Sequence, residues 1–317
     1  MYPYQTLLRL CQHFLLLHVL RLSYTMLSMY GPLARMLGNR QRVQKSLLTT
    51  FGGNDRPTWA AITGASSGIG KAYSLALASR GFNVILIARR LTKLQLLATQ
   101  ILAKYNVQVH IVVSDLSALT SITLPTLMDK FGQRDIGIVI CNAGISDVNL
   151  SFTNEAYTRT EAMVQTNCVG MALLVHALLP RMEARMINNV SSTIVTAGAL
   201  NADVPLASNS LSSGTKAFVR NFTLAVNETT TVEMLCAHPL AVQSEIVVQQ
   251  PDGFFIVAAD VYVAGVLSFV QQGGFRETFG LWQHELIKEI LSLWPTWLIL
   301  KVSRACTPWF ASMLGKK

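Results

Sequence analysis

From residue 59 onward, short apolar runs alternate with stretches long enough for helices, and few folds accept that pattern. WAAIT (59–63), NVILIA (83–88), VQVHIVVS (107–114), IGIVICN (136–142), MINNVS (186–191) and VEMLCAH (232–238) read as strands. Most are apolar over consecutive positions rather than alternate ones, as in strands buried on both faces. Such strands separated by crossover helices predict a doubly wound parallel sheet of the α/β class. In such a sheet the ligand crevice lies at the carboxyl ends of the strands.

The first strand ends in Thr63-Gly64-Ala65-Ser66-Ser67-Gly68-Ile69-Gly70, and a helix starts directly after it. Glycines allow the tight turn and let backbone N–H groups approach a pyrophosphate at the positive end of the helix. A glycine-rich turn alone says little, but its place between strand and helix points to a Rossmann-type dinucleotide site. The second strand ends Ala88-Arg89-Arg90, with no acid to hold a ribose 2′-hydroxyl. An arginine there suits a 2′-phosphate, so NADP(H) is the expected cofactor and Arg89 its ligand. The alternative for the two arginines is a solvated helix start.

With these pieces the chain resembles the short-chain dehydrogenase/reductase family over about residues 59–245, its motifs falling in family order. The resemblance implies cofactor contacts from Gly64, Ser66, Ser67, Gly68, Ile69 and Gly70 in the loop. It implies others from Asp115 after the third strand and from Asn142 of Asn142-Ala143-Gly144. Ser244 falls where Pro239-Leu240-Ala241-Val242-Gln243-Ser244 resembles P-G-x-V-x-T. It implies catalytic roles for Asn167, for Ser192 of Asn189-Val190-Ser191-Ser192, and for Lys216, which also holds the nicotinamide ribose. Trp59, Gly70-Lys71-Ala72-Tyr73 and the tail around His284-Glu285-Leu286 resemble the membrane-associated 17β-hydroxysteroid dehydrogenase and very-long-chain 3-oxoacyl-CoA reductase branch. That branch implies a lipid-like small-molecule substrate and an endoplasmic-reticulum protein facing the cytosol. A homodimer is left open.

The chain departs from the family at Y-x-x-x-K. Lys216 aligns, but the tyrosine position is Ser212, and no tyrosine occurs between Tyr157 and Tyr262. Carbonyl reduction needs a proton for the developing alkoxide, and a well-placed general acid contributes typically ~10²–10⁴-fold. A serine hydroxyl is far less acidic than a phenol and its side chain is several ångströms shorter. At best Ser212 holds a water that relays the proton. The segment from Ser192 to Ser212 is also longer than the family's dozen or so residues. Two readings follow: an oxidoreductase with impaired or altered catalysis, or an inactive pseudoenzyme that keeps the cofactor site for stability or regulation. His238, at the end of the sixth strand, reads as structural.

Charge sits at the two ends. Residues 1–58 carry +6 and 272–317 carry +3, while 59–271 is neutral. The domains expected are therefore a membrane-associating segment (1–58), the dinucleotide-binding domain (59–271) and a C-terminal amphipathic helical extension (272–317). A basic face on the folded domain, which a nucleic acid would require, is missing. Only 14% of residues are charged and the mean hydropathy is +0.38, which suits a membrane surface as partner. Arg9 and Arg21 interrupt the first apolar segment, so an in-plane helix is expected ahead of a span. Trp282, Trp294, Trp297 and Trp309 with nearby lysines give the C-terminus an interfacial composition. Packing on the domain or on a dimer partner is the equal alternative. Five cysteines without a C-x-x-C pair argue against a disulfide framework or a zinc site. Sequons begin at Asn149, Asn189, Asn221 and Asn227; the second falls in an expected buried strand, and all four are taken as chance matches.

Overall fold

The computed structural model describes residues 46–53, 57–146, 152–243 and 256–313, with Leu16, Val19 and Ser23. Residues 1–44 form one compact unit and 45–317 another. Of the first unit, Leu16, Val19 and Ser23 are helical and exposed. The rest of the expected N-terminal helix lies outside the described residues.

The second unit is built on seven parallel strands in the order β3-β2-β1-β4-β5-β6-β9. They are β1 (Thr58–Thr63), β2 (Asn83–Ala88), β3 (Val109–Val113), β4 (Asp135–Cys141), β5 (Thr193–Ala197), β6 (Glu233–Ala237) and β9 (Glu277–Thr278). The short strands β7 (Ala241–Val242) and β8 (Ile256–Val257) pair separately. Strand order reverses between β1 and β4, which opens the crevice at the carboxyl end of β1.

The apolar runs are explained by two cores. Along β1, Ala60 and Ile62 face the helices Gly68–Ala78, Leu91–Leu102 and Ala259–Gln272. Trp59 and Ala61 face Leu124–Phe131 and Met171–Glu183. Because side chains alternate along a strand, burial on both faces demands apolar residues at every position.

The described residues contain one helix long and apolar enough to cross a membrane, Tyr157–Asn188, by length and composition. Half of its most apolar stretch is buried, and Leu174, Val175 and Leu178 pack into the second core. It is a core helix of this sheet.

Three expectations need correction. MINNVS is not the fifth strand: Ala184–Asn188 is a short 3₁₀ helix and Asn189 is left-handed at φ 56°. The strand is the next run, Thr193–Ala197, whose β-branched residues suit a pleated sheet better. Asn189 is accordingly exposed rather than buried. The sheet also extends past residue 271, since β9 lies inside the segment set apart as a C-terminal extension. The folded body starts before residue 59 as well, for Leu47 and Phe51 are buried in the first core.

Candidate functional site

The turn 64–70 fits a pyrophosphate by what it leaves out. Gly64 and Gly68 have φ of +67° and +53°, which L side chains rarely adopt. A Cβ on Gly70 would lie 2.2 Å from Gly64 O, so helix and turn touch through bare backbone. Ser67 caps the helix Gly68–Ala78 without a side-chain hydrogen bond, and first-turn N–H groups have no intrahelical partner. Ser66 and Ile69 complete the turn, and Ile69 lines a small cavity with Tyr73, Asn142, Ala197, Pro239 and Tyr262.

Asn142 and Thr63 lock the neighbouring strand ends together. Asn142 Nδ2 donates to Thr63 O at 3.2 Å, and Ala143 N donates to Thr63 Oγ1 at 2.9 Å. At the ends of β2 and β3, Arg89 and Asp115 form an exposed ion pair at 3.7 Å. Asp115 also accepts from Ser117 N at 2.9 Å. Both side chains are exposed to solvent, so the pair holds neither of them in place strongly. Ser244 lies outside the described residues.

Asn167 is buried in a π-helical turn, Gln165–Gly170. Such turns occur often at functional sites. Its Oδ1 accepts from Ile145 N and its Nδ2 donates to Ile145 O, each at 2.8 Å, with a further donation to Thr215 Oγ1 at 3.0 Å. Lys216, on the helix Ser210–Asn227, donates from Nζ to Ala197 O at 2.6 Å, at the carboxyl end of β5. Burial pushes its ammonium down to about 8. Asn142, Asn167, Ser212 and Lys216 thus gather at the crevice end of the sheet.

Ser192 does not join them. It precedes β5 at the amino end, roughly 16 Å of strand from Ala197 at ~3.3 Å per residue. Its Oγ donates to Met182 O at 3.1 Å and accepts from Arg185 Nη1 at 3.1 Å, so it is a structural hydroxyl. The crevice end of β5 carries Ala197 and Gly198 instead. A Cβ on Gly198 would meet His238 Nδ1 at 2.6 Å, so the imidazole fills the space of any side chain there. The over-long Ser192-to-Ser212 segment was the sign of this. Counted from Gly198, the separation is 14 residues.

Ser212 itself is covered. Asn201 Nδ2 donates to its Oγ at 3.2 Å, and Ser146 Oγ lies 3.2 Å away. Ser212 is 3% exposed and Asn201 6%. Ser146, Gly198 and Asn201 were not singled out in the sequence, because only the fold brings them beside Ser212 and Lys216.

His238 is structural, as its strand-end position suggested. Its Nδ1 faces Ala199 O at 3.1 Å and its Nε2 faces Glu277 Oε1 at 3.1 Å. A carbonyl and a carboxylate can only accept, so the ring holds both protons. Burial alone would lower its affinity for the proton, but the bonds to Cys236 and Glu277 outweigh it and push the ring up to about 10. Glu277 is held below its usual range: burial works the other way, and its bonds to His238 and Arg220 prevail. A folded-state value above the unfolded ~6.5 adds stability below that pH, and this is lost as pH rises toward 10. Between pH 6.5 and 8, below the range in which Lys216 loses its proton, the urea midpoint is expected to fall, and His238→Gln to flatten that slope. A wild-type midpoint constant over this range would remove the imidazolium assignment.

The family model described as short chain dehydrogenase matches residues 58–252. The chain belongs to the short-chain dehydrogenase family. Human "17-beta-hydroxysteroid dehydrogenase type 3" is 32% identical over 80% of the chain and 79% of its own length. A "very-long-chain 3-oxoacyl-CoA reductase" of Aspergillus clavatus is 28% identical over 77% of the chain and 72% of its own. Human "inactive hydroxysteroid dehydrogenase-like protein 1" is 34% identical over 53% of the chain and half of its own length. Among solved structures, a short-chain dehydrogenase from Sphingobium yanoikuyae in complex with NADPH superposes with a TM-score of 0.61 at 26% identity. It covers 70% of this chain and 87% of its own. This short-chain dehydrogenase is thus related to steroid dehydrogenases and 3-oxoacyl-CoA reductases, and also to a relative whose name calls it inactive.

Proposed function

We propose that this short-chain dehydrogenase binds NADP(H) and no longer reduces carbonyls efficiently, acting as a cofactor-loaded scaffold or regulator at the membrane. The observation that carries this reading is the crowding at the reaction end of the crevice. Ser212 is sealed by Asn201 and Ser146, and the end of β5 offers Gly198 with His238 packed against it. The cofactor side, by contrast, has residues of the types that would suit NADP(H). The glycine turn would take the pyrophosphate, Arg89 the 2′-phosphate, Lys216 the nicotinamide ribose, and Asp115 would lie by the adenine. Asn142 would hold the turn in shape and Asn167 the segment after β4. Ile69 would lie by the nicotinamide end. NADPH supplies hydride when bound; no group at Ser212 or Gly198 supplies the matching proton as a phenol would.

The ligand class is a lipid with a ketone or hydroxyl group, a steroid or a 3-oxoacyl-CoA, in keeping with the relatives' names. The proposed setting is the endoplasmic-reticulum membrane, with the domain facing the cytosol. A homodimer is compatible with this arrangement. A second reading, slow residual reduction, is favoured by the Ser146–Ser212 contact at 3.2 Å, through which two hydroxyls could pass a proton.

The test is NADPH consumption by detergent-solubilised protein with a long-chain 3-oxoacyl-CoA, beside Ser212→Tyr. Wild type is expected to bind NADPH and turn over at background. Ser212→Tyr is expected to add no turnover, because the phenol must displace Asn201 and Ser146. Overpacking of this kind typically costs ~1–3 kcal/mol of stability. Clear wild-type turnover would establish the residual-reductase reading. A tenfold or greater gain in Ser212→Tyr would mean the crevice is open and lacks only its acid.

A further inference from the structure

The C-terminal helix Thr296–Met313 is built the wrong way round for water. Its inward residues Ile299, Ser303 and Thr307 are buried, two of them hydroxyls, with Ser303 Oγ accepting from Ala207 N at 3.1 Å. Its outward residues include Trp297, 60% exposed, with Leu300, Lys301, Val302 and Arg304. Trp297, Lys301 and Arg304 stand at i, i+4 and i+7, hence on one face. A helix resting on a soluble domain turns its large apolar side chains inward and its polar ones outward. Here a tryptophan, a leucine and a valine face away from the domain. The exposed apolar surface continues through Ile290, Leu293 and Trp294 at the preceding helix end, with Trp282 exposed at its start.

Charge chooses among possible partners for this face. Residues 290–317 contain no aspartate or glutamate and four basic residues, Lys301, Arg304, Lys316 and Lys317. Lys301 Nζ stands 5.4 Å over the Trp297 ring, keeping cation and aromatic side by side on the outer face. Tryptophan and basic residues together suit the headgroup level of a bilayer with anionic lipid.

We propose that the helix Thr296–Met313 docks in the plane of an anionic lipid surface while its inner hydroxyl edge holds the loop that covers Ser212. The second part follows from the bonds. Ser303 holds Ala207 N, and Ser213 Oγ accepts from Leu206 N at 3.2 Å. The loop between Asn201 and Ser212 is therefore tied to the lipid-facing helix on one side and to the site helix on the other. This rests on the membrane setting proposed above and adds which surface meets the lipid.

The test is backbone hydrogen exchange of the full chain with vesicles of phosphatidylcholine alone or with one-fifth phosphatidylserine. With phosphatidylserine, amides in 296–313 are expected to exchange at least tenfold more slowly, and those in 206–209 to slow with them. Lys301→Glu/Arg304→Glu should remove the difference between the two vesicles. Ser303→Ala should keep the slowing in 296–313 and lose it in 206–209. Co-sedimentation without protection of 296–313 overturns the proposal and leaves the membrane setting to the N-terminal segment. Failure to co-sediment overturns both. Protection that grows with protein concentration without lipid means a second copy covers this face, and the proposal falls.

Discussion

Gly70→Ala is expected to reduce NADPH affinity by at least ~100-fold, about 2.7 kcal/mol, while leaving the far-ultraviolet circular dichroism of the sheet intact. The added Cβ would lie 2.2 Å from Gly64 O and 2.7 Å from Asn142 Nδ2. The first of these is backbone in a turn already at φ +67°, and the second holds the end of β4 to Thr63. Neither yields cheaply, so the helix Gly68–Ala78 must back away and take its first-turn N–H groups from where a pyrophosphate would sit. Fluorescence titration with NADPH measures the loss. Gly214→Ala is the control, since a Cβ there meets nothing within 4 Å. It should keep full affinity and gain up to ~1 kcal/mol of helix stability. Normal binding by Gly70→Ala would remove the phosphate assignment from this turn.

Arg185→Leu is expected to cost ~3–5 kcal/mol of folding stability, as breaking a buried ion pair generally does. Arg185 pairs with Asp135 at 2.7 Å and donates to Phe51 O at 2.6 Å, Ser191 O at 2.7 Å and Ser192 Oγ at 3.1 Å. It ties the helix Leu47–Phe51, the segment before β5 and the start of β4 into one polar knot. Gly137 makes room for it, because a Cβ there would fall 2.7 Å from Arg185 Nη1. Removing the guanidinium leaves the Asp135 carboxylate with Thr58 Oγ1 as its remaining side-chain donor and takes the side-chain donor from Phe51 O and Ser191 O. The urea midpoint should drop with an unchanged slope. Because this knot lies at the amino end of the sheet, the NADPH affinity of the folded fraction should not change. Ser192→Ala should likewise leave NADPH affinity alone. A loss below 1 kcal/mol for Arg185→Leu would mean that water replaces the guanidinium.

The glycine turn and the strand ends beside it were legible because their signals are local. A turn with two left-handed glycines, a helix starting at once and a strand ending without an acid are short-range facts of backbone and charge. Lys216 and Asn167 were legible through the order of motifs, and the fold brings both to the crevice. Ser192 was misread because the segment Asn189–Ser192 matched a motif while the better β-former, Thr193-Ile194-Val195-Thr196, followed it. A slip of a few residues along a strand moves a side chain from one end of the sheet to the other. The boundary at residue 271 failed for a related reason. β9 has two residues, too few for a periodic pattern, and exists because Cys236 N and His238 N find acceptors in Arg276 O and Thr278 O.

By itself, then, the sequence determined the parallel sheet, its crevice end, the glycine turn after β1 and the absence of a phenol at residue 212. Each follows from residue types acting on their own backbone or repeating at a strand's or helix's period. Only the tertiary structure decided that Ser192 stands at the far end of β5, that His238 fills the space beside Gly198, and that Asn201 and Ser146 cover Ser212. Those outcomes depend on which strand pairs with which and on side chains up to 66 residues apart meeting in one crevice, as Ser146 and Ser212 do. No local periodicity records such meetings, because they are set by the packing of the whole sheet.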